Sequence, residues 1–187
     1  RWSQASARVD GITVRVEREG AAVDLDACNR LRSGDIVSTA GDSARIELPD
    51  ASTFTVSAHA RMVCERLTGG VRLALDQGAL QAEVTPQERP AVIRTPHAEA
   101  TVLGTRFELV VGEATTRIDV GAGSVAFAPA GRERSVVVDA GQFITSRHLV
   151  VKQSAGRAMS AAFDGVIYRE YADIYAREAT VLETLRL

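Results

Sequence analysis

A chain of 187 residues, 45% hydrophobic and 25% charged, is long enough to bury a real core and has the balance of a folded domain, which excludes wholesale disorder. Its formal net charge of -2 excludes the basic footprint of a nucleic-acid-binding domain, and no run of about 18 apolar residues is present to form a membrane-spanning helix. Fifteen glycines beside only 5% aromatic residues favour a turn-rich β-protein over a helical bundle.

Alternating apolar and polar residues appear first at Ile12–Val16, then at Ala44–Leu48, Phe54–Val56, Val71–Leu75 and Leu80–Val84. They return at Arg106–Val110, Thr116–Val120 and Val136–Val138. Period-two alternation places apolar side chains on one face and Arg, Glu or Thr on the other, as in half-buried strands. The separators have turn chemistry: Gly34-Asp35, Gly41-Asp42, Pro49-Asp50, Gly69-Gly70, Asp76-Gln77-Gly78, Gly121-Ala122-Gly123 and Ala140-Gly141. This predicts an all-β domain over residues 8–151, built of many short twisted strands in a solenoid-like or sandwich arrangement. No segment within it keeps a helical period long enough to serve as a βαβ crossover.

The pattern changes in a tail over 152–187. From Ala158, Met159, Phe163, Val166, Ile167, Ile174, Val181, Leu182 and Leu185 recur at threes and fours, which predicts an amphipathic helix. Tyr168, Tyr171 and Tyr175 all fall here, and tyrosine is a good interface residue. The tail either docks a partner or packs back on the β-domain over a sheet edge. Cys28 and Cys64 are too few for a cysteine-built zinc site; they form either one disulfide or two buried thiols.

Catalytic and cofactor signals are weak. His59, His97 and His148 have no local metal-ligand spacing, no Gly-x-Ser-x-Gly elbow supports a hydrolase, and Gly121-Ala122-Gly123 reads as a hairpin turn. No cofactor is expected. Arg15, Arg45, Arg72, Arg106 and Arg117 sit at outward strand positions. They form either an arginine ladder for an acidic partner or, with Glu47, Glu83, Glu108 and Asp119, cross-strand ion pairs on a wet face.

Five blocks occur in a recognisable order: Leu31-Arg32-Ser33-Gly34-Asp35-Ile36-Val37-Ser38-Thr39, Pro49-Asp50-Ala51-Ser52-Thr53-Phe54-Thr55-Val56, Thr95-Pro96 through Gly104-Thr105-Arg106-Phe107-Glu108-Leu109, Val120-Gly121-Ala122-Gly123-Ser124-Val125, and Val138-Asp139-Ala140-Gly141-Gln142. Together, over about residues 9–147, they resemble the FecR-type periplasmic domain, with Ala51 where that family usually has Gly. The residues that carry the resemblance are Gly34, Asp35, Thr95, Pro96, Gly104, Thr105, Phe107, Gly123 and Gly141. None of them does acid–base or nucleophilic chemistry at this spacing. They read as fold determinants: glycines at turns or close approaches, and Phe107 with Leu109 buried at about 1.5–3 kcal/mol each.

The resemblance implies a non-catalytic extracytoplasmic module that relays envelope signals. Its implied partners are the signalling domain of a TonB-dependent receptor or another envelope protein, and an ECF-type sigma factor reached through a segment outside this chain. It also implies a periplasmic location, with a membrane anchor expected before Arg1. The alternative is a structural or assembly module of the cell envelope that forms homo-oligomers through the helix from Ala158.

Overall fold

The computed structural model describes residues 7–25, 29–132 and 134–154. Every regular element among them is a strand. In chain order these are β1 (Ala7–Asp10), β2 (Val14–Arg18), β3 (Ala21–Ala22), β4 (Arg30–Leu31), β5 (Ile36–Thr39), β6 (Ala44–Glu47), β7 (Thr53–Val56) and β8 (Arg61–Arg66). They continue with β9 (Arg72–Glu83), β10 (Ala91–Arg94), β11 (Ala98–Val102), β12 (Arg106–Val111), β13 (Thr116–Ala122), β14 (Ser124–Pro129), β15 (Val136–Asp139), β16 (Gln142–Thr145) and β17 (Lys152–Gln153).

These strands build two sheets that share β9. The first runs β4-β1-β6-β7-β9-β12-β13-β16-β17. The second runs β3-β2-β5-β8-β9-β10-β11-β14-β15. All of these pairings are antiparallel except the parallel pair β9–β10. The chain passes repeatedly from one sheet to the other, so many of its turns are corners between layers rather than hairpins within one.

The shared strand corrects one expectation. Asp76-Gln77-Gly78 is not a turn between two strands; β9 runs straight through it. Its first half pairs with β8 and β10, and from Gly78 to Glu83 it pairs with β12, with β7 on its other side over Leu80–Glu83. Gly78 makes the transfer possible. Its φ is +101°, and a Cβ there would lie 2.4 Å from the Ala60 Cβ, a contact no side chain could relieve without moving the backbone.

Two further expectations shift for the same reason. The alternation at Ile12 does not begin a strand: β2 starts at Val14 and Ile12 is 91% exposed, because Gly11–Thr13 is the passage from the first sheet to the second. Gly121-Ala122-Gly123 is a corner between β13 and β14 in different sheets, not a hairpin turn. At the far end, β17 carries the β-structure to Gln153, past the expected boundary at 151. The expected helix from Ala158, with Tyr168, Tyr171 and Tyr175, lies outside the described residues.

Among the described residues one hydrophobic cluster draws on both sheets. Phe54 on β7, Phe107 on β12 and Phe127 on β14 are fully buried, surrounded by Leu73, Leu75, Leu80, Ile93, Leu109, Ile118 and Ile144. The alternation that predicted the strands is the alternation that buries them, as in β11 and β13, where every second residue faces the core.

Candidate functional site

The hallmark glycines of the third and fourth blocks meet at one corner. A Cβ on Gly104 would stand 2.8 Å from the Pro86 Cα, so close backbone approach, not a positive φ, is what this glycine provides. Gly123 has φ +79°, and its Cβ would stand 2.8 Å from the Gly104 carbonyl oxygen and 3.1 Å from Thr105 Oγ1. Thr105, almost fully buried, donates from Oγ1 to the Ser124 carbonyl at 2.9 Å. Its own carbonyl accepts from Val84 N–H at 3.0 Å. The Gly123 carbonyl accepts from Ala140 N–H at 2.9 Å, and Gly141 N–H donates to the Val120 carbonyl at 2.7 Å. Gly104, Thr105, Gly123 and Gly141 therefore lock three passages between the sheets against one another. The surface here is a shallow depression of about 220 Å³ lined by Glu83, Val84, Gly104, Thr105, Arg106 and Ala122, with no converging reactive groups.

Thr95 and Pro96 shape the β10–β11 turn. Thr95 Oγ1 accepts from Ala98 N–H at 2.9 Å, and Thr95 N–H donates to the Ala98 carbonyl at 2.8 Å. The Thr95 hydroxyl also lies 2.8 Å from that of Thr116, which is fully buried, and His97 Nδ1 sits 3.2 Å from the same oxygen. His97 thus belongs to a polar cluster that ties two loops together.

Gly34 and Asp35 work differently. Asp35 is fully buried, and its carboxylate receives Arg18 Nε at 2.8 Å, Arg18 NH2 at 2.7 Å and Arg32 N–H at 2.8 Å. A bidentate guanidinium with a backbone donor satisfies a charge that burial would otherwise make very costly. Arg18 lies on β2, before the blocks, and no sequence signal pointed to it. Beside this pair Cys64 is a fully buried thiol, pushed up to about 12 by burial and then by the Asp35 charge. The Cys64 side chain is enclosed in the core, and the choice between a Cys28–Cys64 bridge and two buried thiols turns on Cys28. Cys28 lies outside the described residues.

The five arginines do not form one ladder. Arg15 and Arg72 lie on the second sheet, Arg45, Arg106 and Arg117 on the first. Arg72 pairs with Glu65 at 3.1 Å and Glu99 at 2.9 Å, and Arg94 pairs with Glu65 at 3.1 Å, a network across β8, β9, β10 and β11. Arg117 binds Asp119 at 2.9 Å and stacks on Phe143, 3.8 Å from the ring centroid. Cross-strand ion pairing accounts for Arg72, and a pair within β13 itself for Arg117.

Glu108 departs from the wet face expected of it. It is only 5% exposed, lies opposite Gln81 on β9 and Asp119 on β13, and its Oε1 has no hydrogen-bond partner. Burial, then repulsion from Asp119, raises its carboxyl from 4.5 to about 7 despite Arg117. Sequence reasoning missed this because alternation marks a face as outward without saying what covers it. Among the described residues no group of three or more His, Cys, Asp or Glu is placed to hold a metal ion.

Residues 34–126 match the family model described as "FecR protein". This chain carries a FecR domain. The match begins on the Gly34-Asp35 turn and ends just beyond the Gly123 corner. Two crystal structures of a candidate anti-sigma factor from Parabacteroides distasonis ATCC 8503 share the fold, each with a TM-score of 0.59 at 19% identity over 67% of this chain. The chain spans less than two thirds of those proteins, 62% of one and 63% of the other. No curated protein matches it significantly. No helix among the described residues is long and apolar enough to cross a membrane.

Proposed function

We propose that this chain is the non-catalytic, extracytoplasmic part of a FecR-like regulator that relays an envelope signal to an ECF-type sigma factor. The observation that carries this reading is the FecR match over 34–126, in which the hallmark residues are spent on backbone corners and turns. A scaffold whose signature residues are internal offers its surface for recognition and needs no reactive pocket. The fold shared with a candidate anti-sigma factor supports the same role. The partner outside the cytoplasm is the signalling domain of a TonB-dependent receptor or a comparable envelope protein. The sigma factor is reached through a segment outside this chain, which also supplies the membrane attachment. The chain works as a β-domain, expected over about 8–151 and carried to Gln153 by β17, followed by a tail in which Tyr168, Tyr171 and Tyr175 contribute to partner binding.

Titration calorimetry of this protein against the signalling domains of TonB-dependent receptors from the same genome tests the reading. Saturable one-to-one binding to one of them is expected. Absence of heat across the whole set, with the protein folded by circular dichroism, would overturn it.

A further inference from the structure

Two arginines meet at the hairpin between β8 and β9. Arg66 closes β8, and Arg89 lies on the passage from β9 to β10. Between β8 and β9 stand Gly69 and Gly70, with φ of +70° and +111°, a backbone that other side chains rarely adopt. Arg66 Nε donates to the Gly70 carbonyl and Arg89 NH1 to the Gly69 carbonyl, each at 3.1 Å. The place a Cβ on Gly70 would take lies 3.4 Å from Arg66 NH2 and 3.7 Å from Arg89 Cβ, and that of a Cβ on Gly69 lies 3.2 Å from Arg89 NH1. The two glycines leave this stretch of the turn bare, and both arginines lie over it.

Each guanidinium has five N–H donors and spends one of them on these carbonyls. Both arginines are exposed, and neither forms an ion pair among the described residues. The carboxylates on the neighbouring strands are already engaged, since Glu65 and Glu99 hold Arg72 and Arg94 in a network balanced in sign. Glu88, next to Arg89 in the chain, is exposed and pairs with neither guanidinium. Two like charges over one turn repel each other, and an anion that joins them relieves the repulsion.

The chemistry of the turn selects that anion. What it offers beside the arginines is carbonyl oxygen, not the cluster of backbone N–H groups that encloses a phosphate. Two guanidiniums, each held by its own carbonyl, suit two separate carboxylates, one to each planar fork. In an extended peptide alternate side chains point the same way about 7 Å apart, a spacing that two long arginine side chains over one turn can span.

We propose that Arg66 and Arg89, with the Gly69–Gly70 turn between them, form a docking point for an acidic segment of a protein partner, with carboxylates at alternate positions of an extended stretch each taking one guanidinium. The inference deepens the reading of this chain as a recognition module and rests on it for the source of the segment. A synthetic peptide therefore serves as the probe, so that the outcome does not depend on whether any receptor domain binds.

Proton–nitrogen correlation spectra of the full chain, titrated with hexaglutamate at low ionic strength, test this. Saturable shifts of the Gly69 and Gly70 amides are expected, and added salt weakens them because exposed charges are screened. Arg66→Gln and Arg89→Gln each weaken binding about two- to fivefold and together about tenfold, in line with independent exposed ion pairs. Arg15→Gln combined with Arg45→Gln removes the same charge at exposed positions on β2 and β6 and leaves the affinity unchanged. Thermal melts separate lost binding from lost folding, and Arg89→Glu gives the same readout if the glutamine double variant unfolds. Glycine amides that stay still in the wild-type titration overturn the proposal. So does an affinity unchanged by the Arg66 and Arg89 variants, or one that falls as much in the Arg15 and Arg45 control. Inorganic pyrophosphate moving the same amides at lower concentration than hexaglutamate also overturns it, by making the turn a phosphate site.

Discussion

Two hallmark regions of this FecR domain are held together in opposite ways. The corner where Gly104 meets Pro86 and Gly123 carries no charge and depends on atoms being absent, since a single Cβ at either glycine would press on backbone within 2.8 Å. The turn at Gly34-Asp35 depends on something added: a fully buried carboxylate neutralised by Arg18 from another strand. A motif can therefore record either a steric constraint, complete within itself, or an electrostatic one, which needs a partner elsewhere in the chain.

The largest expected effect breaks the electrostatic region. Arg18→Ala leaves the Asp35 carboxylate buried with only the Arg32 N–H, and should destabilise the domain by about 3–5 kcal/mol in urea unfolding. Replacing both residues with apolar side chains of similar volume should recover much of that loss, because the cost lies in the uncompensated charge. A single variant that unfolds at the wild-type urea midpoint would show that the pair is ornamental.

Glu108 sharpens the comparison, being a buried carboxylate without a cation as well placed as Arg18. Its folded-state value of about 7 lies above the ordinary 4.5, so between these pH values the folded chain holds a proton that the unfolded chain has released. Its contribution is therefore full at the acidic end and lost as pH rises through about 7, a fall of up to about 3 kcal/mol. Glu108→Gln should flatten that part of the pH–stability curve. An unchanged slope in the variant would mean that Glu108 is not the titrating group.

How far the sequence reaches follows the same division. Alternation located most of the strands because burial on one face forces it, and the FecR blocks pointed to Gly104, Thr105 and Gly123, whose constraint is local. Ala51, noted for standing where Gly is usual, has φ +65°, the conformation that explains the preference. Arg18 was illegible, because its partner lies 17 residues away on another strand and nothing in its neighbours marks it. The continuity of β9 was hidden because Gly78, which looks like a turn signal, lets a strand change sheets. Glu108 was misread because alternation gives a direction and not an environment.

The central claim is that the FecR signature shapes the scaffold through steric exclusion at its corner. Urea unfolding of Gly104→Ala, Gly123→Ala and the double variant tests it most directly. Losses of about 1–3 kcal/mol for each single variant are predicted from overpacking, with the left-handed backbone adding to the second. The double variant should deviate measurably from their sum, since both insertions crowd the same Gly104–Gly123 contact. Two single variants as stable as the wild type would contradict the account.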